Sequence, residues 1–270
     1  MPATLDQIVA ARRRSVAAAK AGADVRALER AAEQHAPRGF RAVLQRAAKR
    51  GVAVIAELKK ASPSRGLIRA DFDAATLARE LESAGAAALS VLTEEEHFQG
   101  SLQNLRAASE ATRLPCLRKD FIVDEFQLLE ARAYGADAVL LIAAALADAE
   151  LLTLLRGARM LALDVLCEVH DAGELDRARN AGCDLIGVNS RDLRTLRVDL
   201  NTALRLADQV PAGVLRVAES GIHTAADLQR LREAGYHAFL IGESLMKAAR
   251  PGEALKELLA AAAHPLATSH

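Results

Sequence analysis

The sequence is poor in cysteine, and this shortage argues against a disulfide-built protein. Its three cysteines, Cys116, Cys167 and Cys183, are an odd number and do not have the spacing of a metal-binding set. Cys167-x-x-His170 has no partner pair elsewhere in the chain, so we expect no metal site. The three thiols fit a reducing compartment better than an oxidising one.

Excess charge of either sign and long apolar runs are also missing. The chain has 35 basic and 35 acidic residues, which argues against a nucleic-acid partner or an anionic membrane surface but leaves room for a small anion site. The arginine-containing segment 1–20 has no apolar core of signal-peptide length, and no later run approaches a membrane span. We therefore expect a soluble, cytoplasmic protein.

The chain reads as one domain of 270 residues that begins with helices. Thr4 and Gln7 form a capping-box pattern, and helical periodicity continues to about residue 50. We predict an N-terminal helical extension over 1–50, a barrel over 51–262 and a tail over 263–270.

From residue 52 onward, apolar β-type runs alternate with segments of helical period. The runs lie at 52–58, 87–92, 115–119, 138–143, 163–168, 184–188, 215–218 and 238–241. Glycine-containing pairs such as Gly85-Ala86 and Gly135-Ala136 end several of the helices. Parallel strands joined by helices form either an open, doubly wound sheet or a closed barrel, and eight units favour a (β/α)8 TIM barrel of the α/β class.

Charged residues lie within or directly at the end of several apolar runs. Glu57 and Lys59 share one face of the first strand, while Lys119 and Glu168 end the third and fifth. Buried charges are costly unless they pair or serve a ligand, so they form either structural ion pairs or a site. Two acids and two lysines at a barrel mouth suit proton transfer. We expect burial and a neighbouring cation to lower the pKa of the lysine that acts as the proton donor.

Small residues follow the last two strands, where this fold commonly binds phosphate. Ser220-Gly221 follows strand seven, and Gly242-Glu243-Ser244 follows strand eight. Arg65 and Arg191, with Ser62, could add donors to a phosphate. We expect the Glu243 carboxylate to point away from such a site and its backbone N–H to point in.

With these residues in view, the sequence resembles the indole-3-glycerol phosphate synthase family of the tryptophan pathway. The motifs that carry the resemblance span nearly the whole chain: Ile55 to Ser64, Leu89 to Glu94 with Phe98-x-Gly100-Ser101, Leu117 to Ile122, Glu168-Val169-His170, Gly187 to Asp192, Ala218 to Ile222, and Ile241 to Met246. The resemblance implies a carbon–carbon lyase without a cofactor. Its substrate would be 1-(2-carboxyphenylamino)-1-deoxyribulose 5-phosphate, which is closed to an indole with loss of carbon dioxide and water.

The resemblance also implies roles for individual residues. Lys119 would be the general acid, Lys59 would hold the substrate carboxylate, and Glu168 would take the proton that leaves in the second half of the reaction. Glu57 would orient the lysines, and Asn189 would hydrogen-bond a substrate hydroxyl or an acid–base partner. The further binding residues implied are Glu219 in support of the site, Phe98 and Phe121 beside the aromatic ring, and Ser62, Arg191, Ser220, Gly221, Gly242, Glu243 and Ser244 around the phosphate.

Two other functions compete with this one. A phosphoribosylanthranilate isomerase would need a cysteine at the end of strand one, where this chain has Glu57-Leu58-Lys59. A non-catalytic barrel that binds a phosphorylated ligand would use Ser220 and Gly242 but would not need Lys119 and Glu168. We expect a phosphorylated small molecule as partner and a monomer or weak homodimer, between which the sequence does not decide.

Overall fold

The protein, described here from a computed structural model of residues 4–193 and 195–263, contains a closed barrel of eight parallel strands. The strands are β1 (Ala53–Leu58), β2 (Ala88–Leu92), β3 (Cys116–Lys119), β4 (Ala138–Ile142), β5 (Asp164–Val169), β6 (Leu185–Asn189), β7 (Leu215–Glu219) and β8 (Ala238–Ile241). Each strand pairs with its neighbours along the chain, and β1 closes the circle against β8. The predicted TIM barrel is therefore confirmed.

Twelve α-helices accompany the strands in the described residues. They are α1 (Leu5–Gly22), α2 (Val25–Gln34), α3 (Phe40–Arg50), α4 (Ala74–Ser83), α5 (Leu102–Ala111), α6 (Phe126–Ala133), α7 (Asp148–Met160), α8 (Ala172–Ala181), α9 (Asn201–Ala207), α10 (Ala225–Glu233), α11 (Glu243–Lys247) and α12 (Pro251–Ala263). The capping box predicted at Thr4 and Gln7 starts α1. Helix α12 continues through Ala263, the first residue of the predicted tail, and the rest of that tail, 264–270, lies outside the described residues.

Side chains alternate between the barrel interior and the helix layer along each strand. Ile55 and Leu117 belong to the apolar cluster inside the barrel, whereas Ala56 and Cys116 belong to the cluster beneath the helices. Continuing with the same period of two, Glu57 and Lys119 fall on the interior face. The alternation therefore places the last residues of the strands over one end of the closed core.

The N-terminal extension contacts both ends of the barrel. Phe40 and Leu44 of α3 are fully buried and join the interior apolar cluster, so α3 covers the end opposite the charged residues. At the charged end, Arg12 of α1 bonds to the buried carboxylate of Asp120 at 2.5 Å, directly after β3. The extension is thus fixed to the barrel by apolar packing at one end and by a partly buried ion pair at the other.

In the described ranges no helix is both long and apolar enough to cross a membrane. All three cysteines are buried, and none forms a disulfide.

Candidate active site

A cavity of about 400 Å³ opens at the carboxyl ends of the strands. The predicted site residues that line it are Glu57, Lys59, Phe98, Lys119, Phe121, Glu168, Asn189, Arg191, Ser220, Gly221, Gly242, Glu243 and Ser244. Two predicted residues do not line it: Ser62 lies in a short hairpin after β1, and Glu219 lies beneath Lys119. The structure therefore brings nearly all of the predicted residues together.

Glu57 bridges the two lysines of the site. Its Oε1 accepts a hydrogen bond of 2.6 Å from Lys59 Nζ, and its Oε2 lies 3.7 Å from Lys119 Nζ. Burial alone would raise the pKa of Glu57, but the two ammonium groups outweigh burial and lower it. Glu57 is therefore an anion in contact with both lysines.

Lys119 is surrounded by three carboxylates from three different strands. Its Nζ lies 2.7 Å from Glu219 Oε2 and 3.5 Å from Glu168 Oε2, in addition to the contact with Glu57. Burial lowers the pKa of Lys119, but the three carboxylates together raise it above the ordinary lysine value. The expectation of a lowered lysine pKa is therefore wrong, because the nearest charges are anionic.

The three carboxylates do not share one protonation behaviour. Burial would raise the pKa of Glu168, but Lys119 and the side chains of His170 and Asn189 lower it, so Glu168 is an anion. Burial raises the pKa of Glu219 to about 7, and the neighbouring carboxylates add to this rise while Lys119 opposes it. The site thus contains two ionised carboxylates, Glu57 and Glu168, and one that titrates near neutrality, an arrangement typical of acid–base chemistry.

The backbone after β7 has an unusual conformation on the cavity wall. Ser220 (φ 65°) and Gly221 (φ 79°) are consecutive residues in the left-handed region, which is uncommon for a serine. Successive peptide N–H groups in such turns can converge on an anion. This conformation is compatible with the phosphate-binding role predicted for this loop.

The direction of the Glu243 carboxylate differs from the expectation. Its carboxylate lies 3.0 Å from Arg65 Nε and 3.5 Å from Arg191 Nη2, and both arginines line the cavity. It also accepts a bond of 2.6 Å from Lys247. The carboxylate therefore does not turn away from the predicted anion site, because the cations gathered there attract it.

An apolar wall completes the cavity. Phe98 and Phe121 lie on it together with Leu92 and Ile142, which end β2 and β4. Such surfaces bury the ring of a ligand, while the polar groups fix its orientation.

One group of metal-ligand type occurs in the described residues, after β2. It consists of Glu94, Glu96 and His97, whose ligand atoms lie within 4.8 Å of one another. The Glu94 carboxylate already accepts the backbone N–H groups of Glu96, His97 and Phe98, at 3.2, 2.8 and 3.1 Å. We interpret this group as a loop cap, because its central carboxylate is occupied by the loop's own backbone.

Two glycines make room for the carboxylates, a role that sequence reasoning did not assign: Gly187 had no predicted role, and Gly242 was predicted only at the phosphate. A Cβ atom at Gly187 would lie 2.1 Å from Glu219 Oε1, and one at Gly242 would lie 2.5 Å from Glu57 Oε1. Gly187 occurs in the middle of an apolar strand, where glycine often marks a close approach. The position of Gly187 within a strand was therefore a sequence signal of a close contact, but it could not indicate which side chain makes that contact.

Comparison with known proteins identifies the family. A model of the family "Indole-3-glycerol phosphate synthase" matches residues 5–258. The chain belongs to this family. An indole-3-glycerol phosphate synthase of Koribacter versatilis (strain Ellin345) is 60% identical over 259 residues, which cover 96% of this chain and all of that relative. The family member of Chlorobium chlorochromatii (strain CaD3) is 51% identical over 214 residues, or 79% of this chain and 83% of that relative.

More distant solved structures share the fold of this indole-3-glycerol phosphate synthase family member. The 3-hexulose-6-phosphate synthase of Salmonella typhimurium has a TM-score of 0.63 and 13% identity, over 78% of this chain and 99% of that one. Thiamine phosphate pyrophosphorylase of Pyrococcus furiosus has a TM-score of 0.60 and 18% identity, over 80% and 97%. At such low identity, these likenesses concern the barrel alone.

Proposed function

We propose that this chain closes 1-(2-carboxyphenylamino)-1-deoxyribulose 5-phosphate to indole-3-glycerol phosphate, with loss of carbon dioxide and water and without a cofactor. The observation that carries the proposal is the position of Lys119, a charged ammonium on the wall of a cavity with carboxylates behind it. The family shown for the chain supports the same reaction. The cavity volume of about 400 Å³ is within the range of small-molecule sites.

In the first half of the reaction, a ring carbon of the substrate attacks the ribulose carbonyl and Lys119 protonates the carbonyl oxygen. The raised pKa of Lys119 means that the proton is present before the reaction starts. The oxygen becomes strongly basic as the carbon–carbon bond forms, so transfer is favourable in the transition state. Lys59, held by Glu57, would bind the substrate carboxylate until it leaves as carbon dioxide.

Loss of carbon dioxide from the attacking ring carbon restores the benzene ring. In the second half, the hydroxyl at the former carbonyl carbon leaves as water with a proton supplied by a lysine of the site, while the neighbouring CH2 group loses a proton and the new five-membered ring becomes aromatic. Glu168 is suited to accept that proton because it is ionised and lines the cavity. Asn189, at the end of the neighbouring strand β6, would hydrogen-bond a substrate hydroxyl or Glu168 itself. Glu219 would support Lys119 from below the cavity and exchange a proton with it.

The substrate phosphate would lie at the opposite wall. Donors there would be the backbone at Ser220 and Gly221 and the side chain of Arg191, with the backbone around Gly242 and Ser244 and the peptide N–H of Glu243 completing the set. Ser62 would contribute only through rearrangement of its hairpin, since it does not line the cavity. The aromatic ring would contact Phe98 and Phe121.

We extend the proposal to the organisation of the protein. The extension 1–50 and the barrel 51–262 would act as one domain, since α3 packs into the barrel core. We place the enzyme in the cytoplasm, where its three buried thiols stay reduced, as a monomer or weak homodimer. Sedimentation of the purified chain would test the last point.

The decisive experiment compares the wild-type protein with Lys119→Ala. Purified protein is mixed with the carboxyphenylamino-deoxyribulose phosphate, and the fluorescence of the indole product is followed. We expect turnover in the wild type and substrate binding in both proteins. In Lys119→Ala, turnover should fall by roughly 100-fold to 10,000-fold, the typical contribution of a general acid. Binding without turnover in the wild type would favour a non-catalytic barrel.

A further inference from the structure

His170 lies between two carboxylates behind the cavity. Its Nε2 lies 3.3 Å from Glu168 Oε1, and its Nδ1 lies 3.0 Å from Glu174 Oε2. The His170 side chain is 13% exposed, so water screens these contacts only weakly. Glu168 therefore has a cation on each oxygen: Lys119 at Oε2 on the cavity side and His170 at Oε1 on the far side.

The turn between β5 and α8 fixes the ring of His170. The backbone N–H of His170 donates to Glu174 Oε2 at 2.8 Å, and this is the same oxygen that contacts Nδ1. The N–H of Glu174 donates in turn to Asp171, the N-cap of α8, at 2.8 Å. Ring and backbone are thus bound to one carboxylate, which prevents the imidazole from turning away from Glu168.

The charges around His170 favour its protonated form. Burial lowers its pKa, but Glu168 and Glu174 together raise the pKa of His170 to about 10. The other charged groups nearby are Lys119, across Glu168, and Asp171, whose carboxylate caps α8. The buried Nε2 has no aligned hydrogen-bond acceptor, so its contact with Glu168 is an ion contact rather than a well-directed hydrogen bond.

We propose that His170 is a positioning residue that keeps Glu168 ionised and directs Glu168 Oε2 into the cavity, with Glu174 holding the imidazolium in place. This inference rests on the proposed function and adds a residue to its second half. When Lys119 has given its proton to the substrate, it no longer carries a charge. His170 is then the cation that remains beside Glu168 while this carboxylate accepts a proton.

The sharpest test is the pH profile of His170→Asn. Loss of a cation within 4 Å raises a carboxylate pKa by about 1–3 units, so we expect the acid limb of the kcat profile to move upward by about one to two pH units. The KM should stay within about twofold, because His170 does not line the cavity. Glu174→Gln should shift the limb in the same direction by less.

The control is His97→Asn, which removes another histidine of the barrel mouth that pairs with a buried carboxylate, Glu94, at 3.2 Å. This variant should keep the wild-type acid limb. An unchanged profile in His170→Asn, with only a lower melting temperature, would overturn the proposal by showing a purely structural role.

A second measurement does not depend on turnover. NMR titration of the wild-type imidazoles should show His170 protonated at pH 7 and up to about pH 10, and a neutral His170 at pH 7 would overturn the inference. A protein without turnover but with a protonated His170 would instead contradict the proposed function. The two failures are therefore distinguishable.

Discussion

Gly187 of β6 leaves the space that the carboxylate of Glu219 occupies on β7. An added Cβ at Gly187 would lie 2.1 Å from Glu219 Oε1 and 3.2 Å from a methyl group of Leu166. The other oxygen of Glu219 binds Lys119 at 2.7 Å. The position of the proposed general acid therefore depends on the absence of a side chain on β6, a strand that does not pair with β3.

Gly187→Ala should lower kcat by at least about tenfold, because Glu219 must move and Lys119 loses its shortest ion pair. Steady-state kinetics with the deoxyribulose substrate would measure this loss. Gly22→Ala is the matched control, since a Cβ there meets no atom within 4 Å. Equal activity of both variants would show that Glu219 can be displaced without effect.

Glu219→Gln should change the pH dependence of stability in a predictable direction. A carboxyl group with a pKa raised from 4.5 to about 7 binds its proton more tightly in the folded state. Its stabilising contribution is complete below pH 4.5 and is lost as the pH rises through 7. The melting temperature of Glu219→Gln should therefore rise relative to that of the wild type as the pH increases between these two values. A difference that is constant with pH would contradict the raised pKa.

Glu243→Gln should strengthen the binding of inorganic phosphate by several-fold, on the order of 1 kcal/mol. The wild-type carboxylate competes with an added anion for Arg191, while the exposed Arg65 contributes little. Calorimetric titration with phosphate would measure the change. Glu253→Gln, which removes a similar exposed charge paired with Arg250, is the control. Weaker binding in Glu243→Gln would mean that the carboxylate orients the arginines instead.

Arg12→Gln should destabilise the protein more than Arg13→Gln. Arg12 bonds to a fully buried carboxylate, Asp120, whereas both partners of the Arg13–Glu150 pair are more than a third exposed. We expect a cost of about 1–3 kcal/mol for the first variant and below ~0.5 kcal/mol for the second. The KM should rise only in Arg12→Gln, since Asp120 lines the cavity. Chemical denaturation and kinetics would measure both, and equal effects would contradict the role of burial.

Much of the barrel could be predicted from local pattern. All eight strands occur where apolar runs were found, with ends that agree within one residue, because strands and helices bury their faces with different periods. The period of two also predicted that Glu57 and Lys59 share a face. Whether the two charges would pair with each other or serve a ligand stayed open.

The two wrong expectations concern distances between segments that are remote in sequence. The pKa of Lys119 is raised rather than lowered because barrel closure brings Glu57, Glu168 and Glu219 within 3.7 Å of one ammonium. Glu243 turns toward the cavity because Arg65 and Arg191, from two other loops, gather beside it. No single segment contains that information.

The sequence by itself determined the element order, the inward face of each strand and the residue types at the strand ends, since these follow from short-range geometry and side-chain chemistry. The tertiary structure alone decided which charges meet. Electrostatic energies vary steeply with distance and burial, so the protonation of Lys119, Glu168, His170 and Glu219 became defined only when the barrel closed around them.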